Sequence, residues 1–409
     1  MLCDWAIEVD YDIRHYLDHA STSPVRPEVV AAMNRWWNAS HGDPSRMHAE
    51  ALTARTEIEQ ARQQVADFFG ARPREVIFTS GATEAISTAV WGAANRASHQ
   101  VLSAVEHSAV RLSVQRLCDQ PAQSTRTHTQ PTAPNQAQPA HTATIVGVDQ
   151  FGRVSPTDMA AAIQESTAVV HCQWANHEVG TIQPVAEVVQ ACKQRSPDVL
   201  VHLDAASAAG KVAVNFAASG ADLMSVSAHK FGGPSGIGAL LVRRGLRLVP
   251  LLEGGDQERA RRAGLENGAA IAGFAAACTV LSHGGLEQEA AQAEIQTNLL
   301  RRALNELKGV RVFGHPRKRL EHLLCVGISD VEPQAVLIAL DKAGVAAHSG
   351  SSCASESLEP SPVLKAMQAD AQHSLRFSVG WNTTPKNITA AANALTQALT
   401  NLRQLQSNG

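Results

Sequence analysis

The chain has 409 residues, 35 of them basic and 38 acidic, so no basic excess suggests general binding to nucleic acid. Its seven cysteines include no Cys-x-x-Cys pair, which argues against a zinc or iron–sulfur site and favours a reducing compartment. Residues 1–10 carry three acids and no basic residue, unlike a secretory signal, and no apolar run has the length of a membrane span. We therefore expect a soluble cytoplasmic protein, long enough for two domains.

Short apolar runs alternate with helical patterns through the first two-thirds of the chain. Strands are predicted at residues 75–79, 101–105, 167–172 and 199–203, and helices at 83–97 and 185–195. This alternation predicts an α/β fold with a buried parallel sheet wound by right-handed crossovers. Ligands of such sheets bind beyond the carboxyl ends of the strands.

Residues 119–142 are rich in Gln, Thr, Pro, His and Ala and contain almost no bulky apolar residue. Such a segment cannot bury enough surface to order itself, so we predict a flexible polar insertion. A metal tract through His128 and His141 is disfavoured, because the two lie far apart in a proline-broken segment.

After about residue 264 the pattern changes to long helices and a few strands. Helices are predicted at 269–282, 286–307 and 385–405, and strands at 323–328 and 375–379. We predict a large domain over residues 14–263, and a smaller α+β domain formed by residues 1–13 and 264–409.

Lys230 carries the strongest chemical signal. It stands in a Ser227-Ala228-His229-Lys230 turn, and Asp204 ends an apolar strand upstream. A lysine amine can form a Schiff base with pyridoxal phosphate, and a carboxylate can keep the pyridine nitrogen protonated. The pair therefore predicts a pyridoxal phosphate site, whereas a lone His-Lys dipeptide is typical of a surface loop.

Two further strand ends carry candidate cofactor contacts. Ser80-Gly81-Ala82-Thr83-Glu84 lies between a strand and a helix, where free N–H groups and the Thr83 hydroxyl suit a phosphate, although they also suit an ordinary cap. His107 follows the strand at 101–105 and could stack on a pyridine ring and shuttle protons, or cap a helix.

Two residues in the C-terminal part of the chain could react with or bind a substrate. Cys353 lies among small polar residues, which predicts an exposed loop where a thiol can ionise and react. Arg376 lies on a short apolar strand, where its charge needs a partner: a substrate carboxylate or a structural salt bridge. Cys172, Cys278 and Cys325 lie in apolar runs and are predicted to be core residues.

Taken in order, these segments resemble the cysteine desulfurases of the NifS/IscS type, within the class V aminotransferases. The resemblance runs nearly end to end. The motifs that carry it are Tyr16-Leu17-Asp18-His19-Ala20, Gly42-Asp43-Pro44-Ser45 with His48, Thr79 to Glu84, Glu106-His107, Asn176 to Thr181, Asp204-Ala205, Ser227 to Lys230, Gln257-Glu258-Arg259, Ser349 to Ser355, Leu358 to Ser361 and Arg376-Phe377-Ser378.

The resemblance implies a homodimer of fold-type I subunits, each with a mostly parallel seven-stranded sheet, and conversion of L-cysteine to L-alanine. It implies that Lys230 holds the cofactor and moves the Cα proton, that Cys353 takes the sulfur as a persulfide, and that Arg376 binds the substrate carboxylate. A sulfur-acceptor protein would then receive the sulfur from a loop that moves. The implied cofactor contacts are Asp204 at the ring nitrogen, His107 on the ring, and Ala82, Thr83, Ser227 and His229 at the phosphate.

Three positions depart from the family pattern. His177 stands where the family has an asparagine and Ser207 where it has a glutamine, and both positions face the same cofactor oxygen in the family. We hypothesise that the larger side chain compensates for the smaller one. Leu265 replaces a threonine that reaches the neighbouring subunit's phosphate, so we expect weaker phosphate anchoring by about 1 kcal/mol.

Other functions remain open at this point. A selenocysteine lyase or another class V lyase would use the same residues. A weakly active scaffold for sulfur-transfer proteins is disfavoured, because it would have no reason to keep Lys230, Cys353, His107 and Arg376 together. The acceptor could serve iron–sulfur cluster assembly or tRNA thiolation, and the sequence does not separate the two.

Overall fold

The computed structural model describes residues 14–39, 42–120, 140–349 and 360–407. The helices are α1 Pro27–Ala39, α2 Ala49–Phe68, α3 Ala82–Ala94, α4 Ser108–Cys118, α5 Pro156–Ala161, α6 Val185–Arg195, α7 Phe216–Ser219, α8 Gln257–Ala260, α9 Gly268–Leu281, α10 Gly285–Asn305, α11 Pro333–Lys342, α12 Pro362–Ala366 and α13 Pro385–Ser407. The strands are β1 His15–Tyr16, β2 Val76–Thr79, β3 His99–Ser103, β4 Thr142–Val146, β5 Thr167–Gln173, β6 Leu200–Asp204, β7 Leu223–Ser227, β8 Gly238–Val242, β9 Val310–Val312, β10 Leu323–Ile328, β11 Val345–Ala346, β12 His348–Ser349 and β13 Ser374–Ser378.

Seven strands form the central sheet in the order β2-β8-β7-β6-β5-β3-β4. Every neighbouring pair is parallel except the two that involve β8, which is antiparallel to β7 and β2. Helices cover both faces, so most strands are buried throughout and read as continuous apolar runs. The predicted α/β class and seven-stranded, mostly parallel sheet are confirmed.

The two faces of the sheet bury different clusters, because successive side chains of a strand point to opposite sides. On one face, strand residues pack with α2, α5, α6 and α9 through Val65, Met159, Val188 and Phe274. On the other face, Val169, Leu200 and Leu223 pack against the alanines of α3. The start of α3 therefore lies near the carboxyl ends of the strands on this second face.

A second, antiparallel sheet has the order β12-β13-β10-β9 and packs on α10, α11 and α13 around its own apolar cluster. Two elements pack across the predicted domain boundary. β1 pairs with β11, which lies next to this second sheet, and α9 packs into the core of the large sheet. The division at residue 264 stays a prediction.

The strand predicted at 101–105 is in fact β3, His99–Ser103, which begins and ends two residues earlier. It ends early because the Ser103 carbonyl accepts a turn hydrogen bond from the Glu106 N–H. Of the predicted insertion, Asp119 caps α4 and Thr142 begins β4, and residues 121–139 lie outside the described part.

Within the described residues, no single helix is long and apolar enough to cross a membrane. Helices α9 and α10 reach such a length and apolar composition only when they are taken together, and the chain bends by 73° between them.

Candidate active site

Adjacent strands bring the predicted residues together at one edge of the sheet. Asp204 is the last residue of β6, and Ser227 is the last residue of the neighbouring β7. His229 and Lys230 follow in a short 3₁₀ turn that ends at Gly232, which has a φ of +89°. The sheet thus places Asp204 and Lys230 at the ends of neighbouring strands.

Lys230 is partly exposed, and its amine donates a hydrogen bond to the Ala20 carbonyl. Burial, and next the nearby Arg376 guanidinium, lower the pKa of Lys230 to about 8. A lysine with a lowered pKa holds a substantial neutral fraction near neutral pH, which a carbonyl-attacking amine needs.

Asp204 lies beside a second carboxyl group, Glu106. Both are buried, and burial raises the pKa of each. The pKa of Glu106 rises to about 8, first through burial and then through the Asp204 charge. Asp204 is helped to ionise by His107, by Lys230 and by the Ala206 N–H, which donates to it at 3.0 Å. We conclude that Asp204 carries the charge and Glu106 the proton at pH 7.

His107 caps α4 and contacts a second imidazole. Its Nδ1 accepts a hydrogen bond from the Ala109 N–H at 3.1 Å, so the cap that the sequence allowed is present. Its ring meets the His177 ring edge-on, with 5.0 Å between the centroids. Burial, and next the neighbouring His107 side chain, keep the pKa of His177 well below its usual value, so His177 is neutral.

Three neighbouring elements form a cradle for an anion. Gly81 is the N-cap of α3 and supplies no side-chain cap, so within the described part of the chain the first-turn N–H groups of Ala82 and Thr83 have no side-chain acceptor. Gly238 pairs with both Ser227 and Thr79, and a Cβ there would lie 2.8 Å from the Gly81 carbonyl carbon. This close approach brings Ser227 to the start of α3.

The Ser227 hydroxyl is buried and has no hydrogen-bond partner among the described residues. His229 borders the same turn, and its Nδ1 lies 3.1 Å from the Thr22 hydroxyl. Burial lowers the pKa of His229 to about 4, so this imidazole is neutral and offers hydrogen bonds rather than charge. An orphan buried hydroxyl beside free helix N–H groups suits a phosphate.

Arg376 is buried on β13 and has protein partners, so the structural salt bridge that the sequence allowed exists. Its Nη2 donates to Asp18 at 2.9 Å and to Ser21 at 2.6 Å, and its Nη1 donates to the His177 carbonyl at 3.0 Å. Its Nε has no acceptor among the described residues. The guanidinium is therefore fixed in place and still has donor capacity.

His177 and Ser207 line one small cavity together with Lys230, and its free space is about 10 Å³. Lys211 lines it too, and burial lowers the pKa of Lys211 to about 8. Leu265 is 64% exposed on the surface of its own chain. Cys353 lies outside the described residues.

Several groups at this site could not be assigned a role from the sequence. Glu106 and Asp18 both lie in sequence motifs that the family resemblance uses. The position of Glu106 directly before His107 was the sequence feature that could have pointed to it. Lys211 lies seven residues after Asp204, and no sequence motif singled it out. The apolar cysteines 172, 278 and 325 are buried, as predicted. Within the described residues, no three His, Cys, Asp or Glu side chains cluster as metal ligands.

Known proteins are similar to this chain in sequence and in fold. The model of the class-V aminotransferase family matches residues 15–390. A cysteine desulfurase IscS of Dictyoglomus turgidum is 34% identical over 404 residues, which span 95% of each protein. A NifS-like protein of known structure superposes with a TM-score of 0.84 at 28% identity, covering 95% of this chain and 100% of that one. The protein SspA, solved in complex with cysteine, gives a TM-score of 0.73 at 27% identity, over 89% of this chain and 98% of its own.

Proposed function

Because the chain belongs to the class-V aminotransferase family, a family of pyridoxal phosphate enzymes, we propose that it is a cysteine desulfurase that converts L-cysteine to L-alanine. The observation that carries the proposal is the placement of the Lys230 amine, of lowered pKa, beside the Asp204 carboxylate at neighbouring strand ends. The buried Arg376 lies close enough to lower the pKa of that amine.

The residues present fit pyridoxal 5′-phosphate. Lys230 would bind its aldehyde carbon, Asp204 its ring nitrogen and His107 the face of its ring. The phosphate would lie against Ser227, His229 and the N–H groups of Ala82 and Thr83, where the orphan Ser227 hydroxyl needs a partner. His177 and Ser207 would face the ring oxygen. When bound, the cofactor supplies an electron sink for a substrate carbanion.

Side chains of the protein would bind the substrate, transfer the proton and accept the sulfur. Arg376, held by Asp18 and Ser21, would bind the substrate carboxylate through its remaining donors. Lys230 would move a proton at the substrate Cα, since a pKa of about 8 suits both uptake and release near neutral pH. The Cys353 thiolate would attack the substrate sulfur, so that the C–S bond breaks, an S–S bond forms and alanine leaves with a proton.

The assembly and setting of the protein are part of the same proposal. We infer a homodimer, because large apolar side chains lie exposed near the end of α1, near the start of α2 and in the loop before α9. These side chains are Trp37, Met47, Leu52 and Leu265. The persulfide would pass to a sulfur-acceptor protein in the cytoplasm, for iron–sulfur cluster assembly or tRNA thiolation.

The test is persulfide trapping on the cofactor-saturated protein. After addition of L-cysteine, alkylation and mass spectrometry should find one extra sulfur on Cys353 and one alanine released per persulfide. Cys353→Ser and Lys230→Ala should abolish both, and Cys118→Ser, which changes a partly exposed thiol elsewhere, should change neither.

Failure to form alanine would contradict the proposal, as would sulfur found only on another cysteine. Turnover of L-selenocysteine without turnover of L-cysteine would identify a selenocysteine lyase instead. A protein that binds the cofactor but processes neither amino acid would fit the scaffold role.

A further inference from the structure

A large cavity lies at the edge of the central sheet opposite the candidate active site. It has a volume of about 920 Å³ and is lined by residues that precede β2 and follow β8, together with the turn of α8. Because β2 and β8 are antiparallel, the end of β2 that meets Ser80 is at the active-site edge, and its beginning is at this opposite edge. The cavity is therefore separate from the cofactor residues.

The lining carries a strong excess of positive charge. Five arginines and two glutamates line the cavity. The arginines are Arg72, Arg74, Arg244, Arg259 and Arg261. Their formal charge exceeds that of the two glutamates by three, within a chain whose overall formal charge is −3. This local excess has the opposite sign to the protein as a whole.

The two glutamates are already engaged by other groups. The carboxylate oxygens of Glu75 accept the backbone N–H groups of Arg72 at 2.8 Å and Arg244 at 2.9 Å. Glu59 accepts from Arg62 at 2.9 Å and from Arg259 at 3.2 Å. Glu75 therefore fixes the backbone of two arginines without pairing with their guanidinium groups.

The remaining guanidinium groups lack acidic partners. Arg72, Arg74, Arg244 and Arg261 form no ion pair with any described carboxylate. Nη1 of Arg261 is buried and has no hydrogen-bond partner among the described residues, and its Nη2 reaches only the Leu246 carbonyl, at 3.5 Å. Burial and the neighbouring Arg259 charge lower the pKa of Arg261, as expected of a cation enclosed beside another cation.

The turn that presents Arg259 and Arg261 is held in an unfavourable conformation. Glu258, Arg259 and Ala260 have φ values of +45°, +59° and +57°, which residues with a Cβ rarely adopt. A buried bidentate bridge from Arg62 to Glu258, at 2.7 and 2.8 Å, fixes this turn. Such strain persists where the surrounding structure over-determines it, which is common at functional sites.

We propose that this cavity binds a nucleoside triphosphate, with the arginines holding its phosphate groups. The volume lies in the range of cofactor and nucleotide pockets, and the unpaired charge matches a polyphosphate. Pro73, Gly245 and the aliphatic stems of the arginines give the cavity an apolar part, and guanidinium planes can stack on a base. Arg261 would gain an acceptor for its buried N–H.

The test is binding of ATP, AMP and inorganic tripolyphosphate to the full-length protein saturated with pyridoxal phosphate, so that the cofactor cradle is already filled. Calorimetry at low salt should give one ATP per chain, tighter than AMP, with tripolyphosphate also binding and with affinities that fall as salt rises. Arg72→Gln combined with Arg244→Gln should weaken ATP at least about tenfold, the loss expected for two charge-assisted contacts.

A matched control is Arg195→Gln, which removes an exposed arginine from the last turn of α6, away from the cavity, and should leave binding unchanged. Arg74→Gln is a milder cavity variant in case the double variant is unstable. No saturable tripolyphosphate binding, or ATP binding that the cavity variants leave intact, would overturn the proposal. Binding of a glutamate-rich peptide without tripolyphosphate binding would also overturn it, in favour of an acidic protein partner. Because no turnover is measured, these outcomes are independent of whether cysteine is the substrate.

Discussion

At the scale of single residues, the two acids at the candidate site take opposite protonation states. Glu106 accepts one backbone N–H, from Gln173 at 2.8 Å, whereas Asp204 faces the positive charge of Lys230. Two buried carboxyl groups so close together cannot both ionise at low cost. The proton on Glu106 therefore preserves the charge on Asp204, where a pyridine N–H would need it.

This assignment predicts an unequal response to two amide substitutions. Glu106→Gln keeps a neutral group of the same shape, so kcat/KM for L-cysteine at pH 7 should stay within about fivefold. Asp204→Asn removes the charge and should lower kcat/KM about 100-fold or more, as for loss of one strong charge-assisted contact. Steady-state alanine release measures both. Equal losses in the two variants would mean that Glu106 is ionised.

A second prediction concerns His177 and Ser207, which share a cavity with about 10 Å³ of free space. Glutamine at 207 cannot fit beside the imidazole without displacing it, and asparagine at 177 leaves a gap, so either change alone should weaken cofactor binding. His177→Asn combined with Ser207→Gln should recover most of the affinity, because the volumes compensate. Cofactor titration of the apoenzymes gives the four affinities. Stronger binding by His177→Asn alone would refute the compensation.

At the scale of elements, a polar chain crosses the strands beneath the candidate site. The Gln100 amide donates to the Val90 carbonyl at 3.1 Å, and its oxygen accepts from His171 Nε2 at 2.9 Å. Neutral His171 must then accept at Nδ1 from His202 Nδ1, at 2.9 Å, and His202 Nε2 accepts from Ser225 at 2.8 Å. Every hydrogen bond is satisfied only while both imidazoles are neutral.

We predict that the two histidines at the centre of this chain are energetically coupled. His171→Phe leaves the buried His202 N–H and the Gln100 oxygen without partners and should lower the free energy of unfolding by about 1–3 kcal/mol. His171→Phe combined with His202→Phe should cost less than the sum of the two single changes, because neither imidazole is then orphaned. Urea denaturation measures each value. Strict additivity would show that the two histidines are energetically independent.

At the scale of the whole molecule, the exposed Leu265 tests the proposed dimer. If a neighbouring subunit's phosphate lies against this position, Leu265→Thr should supply a hydrogen bond and tighten cofactor binding by about 1 kcal/mol, or roughly fivefold. Leu252→Thr, a matched change at another exposed leucine, in the loop between β8 and α8, should have no effect. Cofactor titration of the apoenzyme measures the change. An affinity that Leu265→Thr leaves unchanged would argue against this contact across the dimer.

The sequence predicted local features of this fold better than distant partners. The apolar run at 167–172 became β5, whereas the start of β3 was missed because His99 and Gln100 are buried polar residues. Lys230 and Asp204 could be chosen from chemical pattern alone. The bridge from Arg376 to Asp18 joins positions 358 residues apart, and only the packing of β13 against the N-terminal segment brings them together.

Buried histidines are expected to control how the free energy of unfolding changes at acid pH. Burial lowers the pKa of His19 and His171 to about 3 and that of His229 to about 4. Burial also holds three further histidines well below their usual pKa: His177, His202 and His322. All six would titrate near pH 6.5 in the unfolded chain.

We therefore predict that stability falls steeply as the pH drops below about 6.5. Between pH 6.5 and the folded pKa values the unfolded state binds more protons, so each buried histidine removes about 1.4 kcal/mol of unfolding free energy per pH unit. Glu106 acts in the opposite sense, since its raised pKa of about 8 stabilises the fold fully below about pH 4.5 and progressively less up to pH 8. Six histidines outweigh one carboxyl group, so urea midpoints should be much lower at pH 5 than at pH 7.

The variant with phenylalanine at both 171 and 202 lacks two of these histidines, so its stability should depend less steeply on pH. An unchanged slope would mean that this pair is not held neutral by burial.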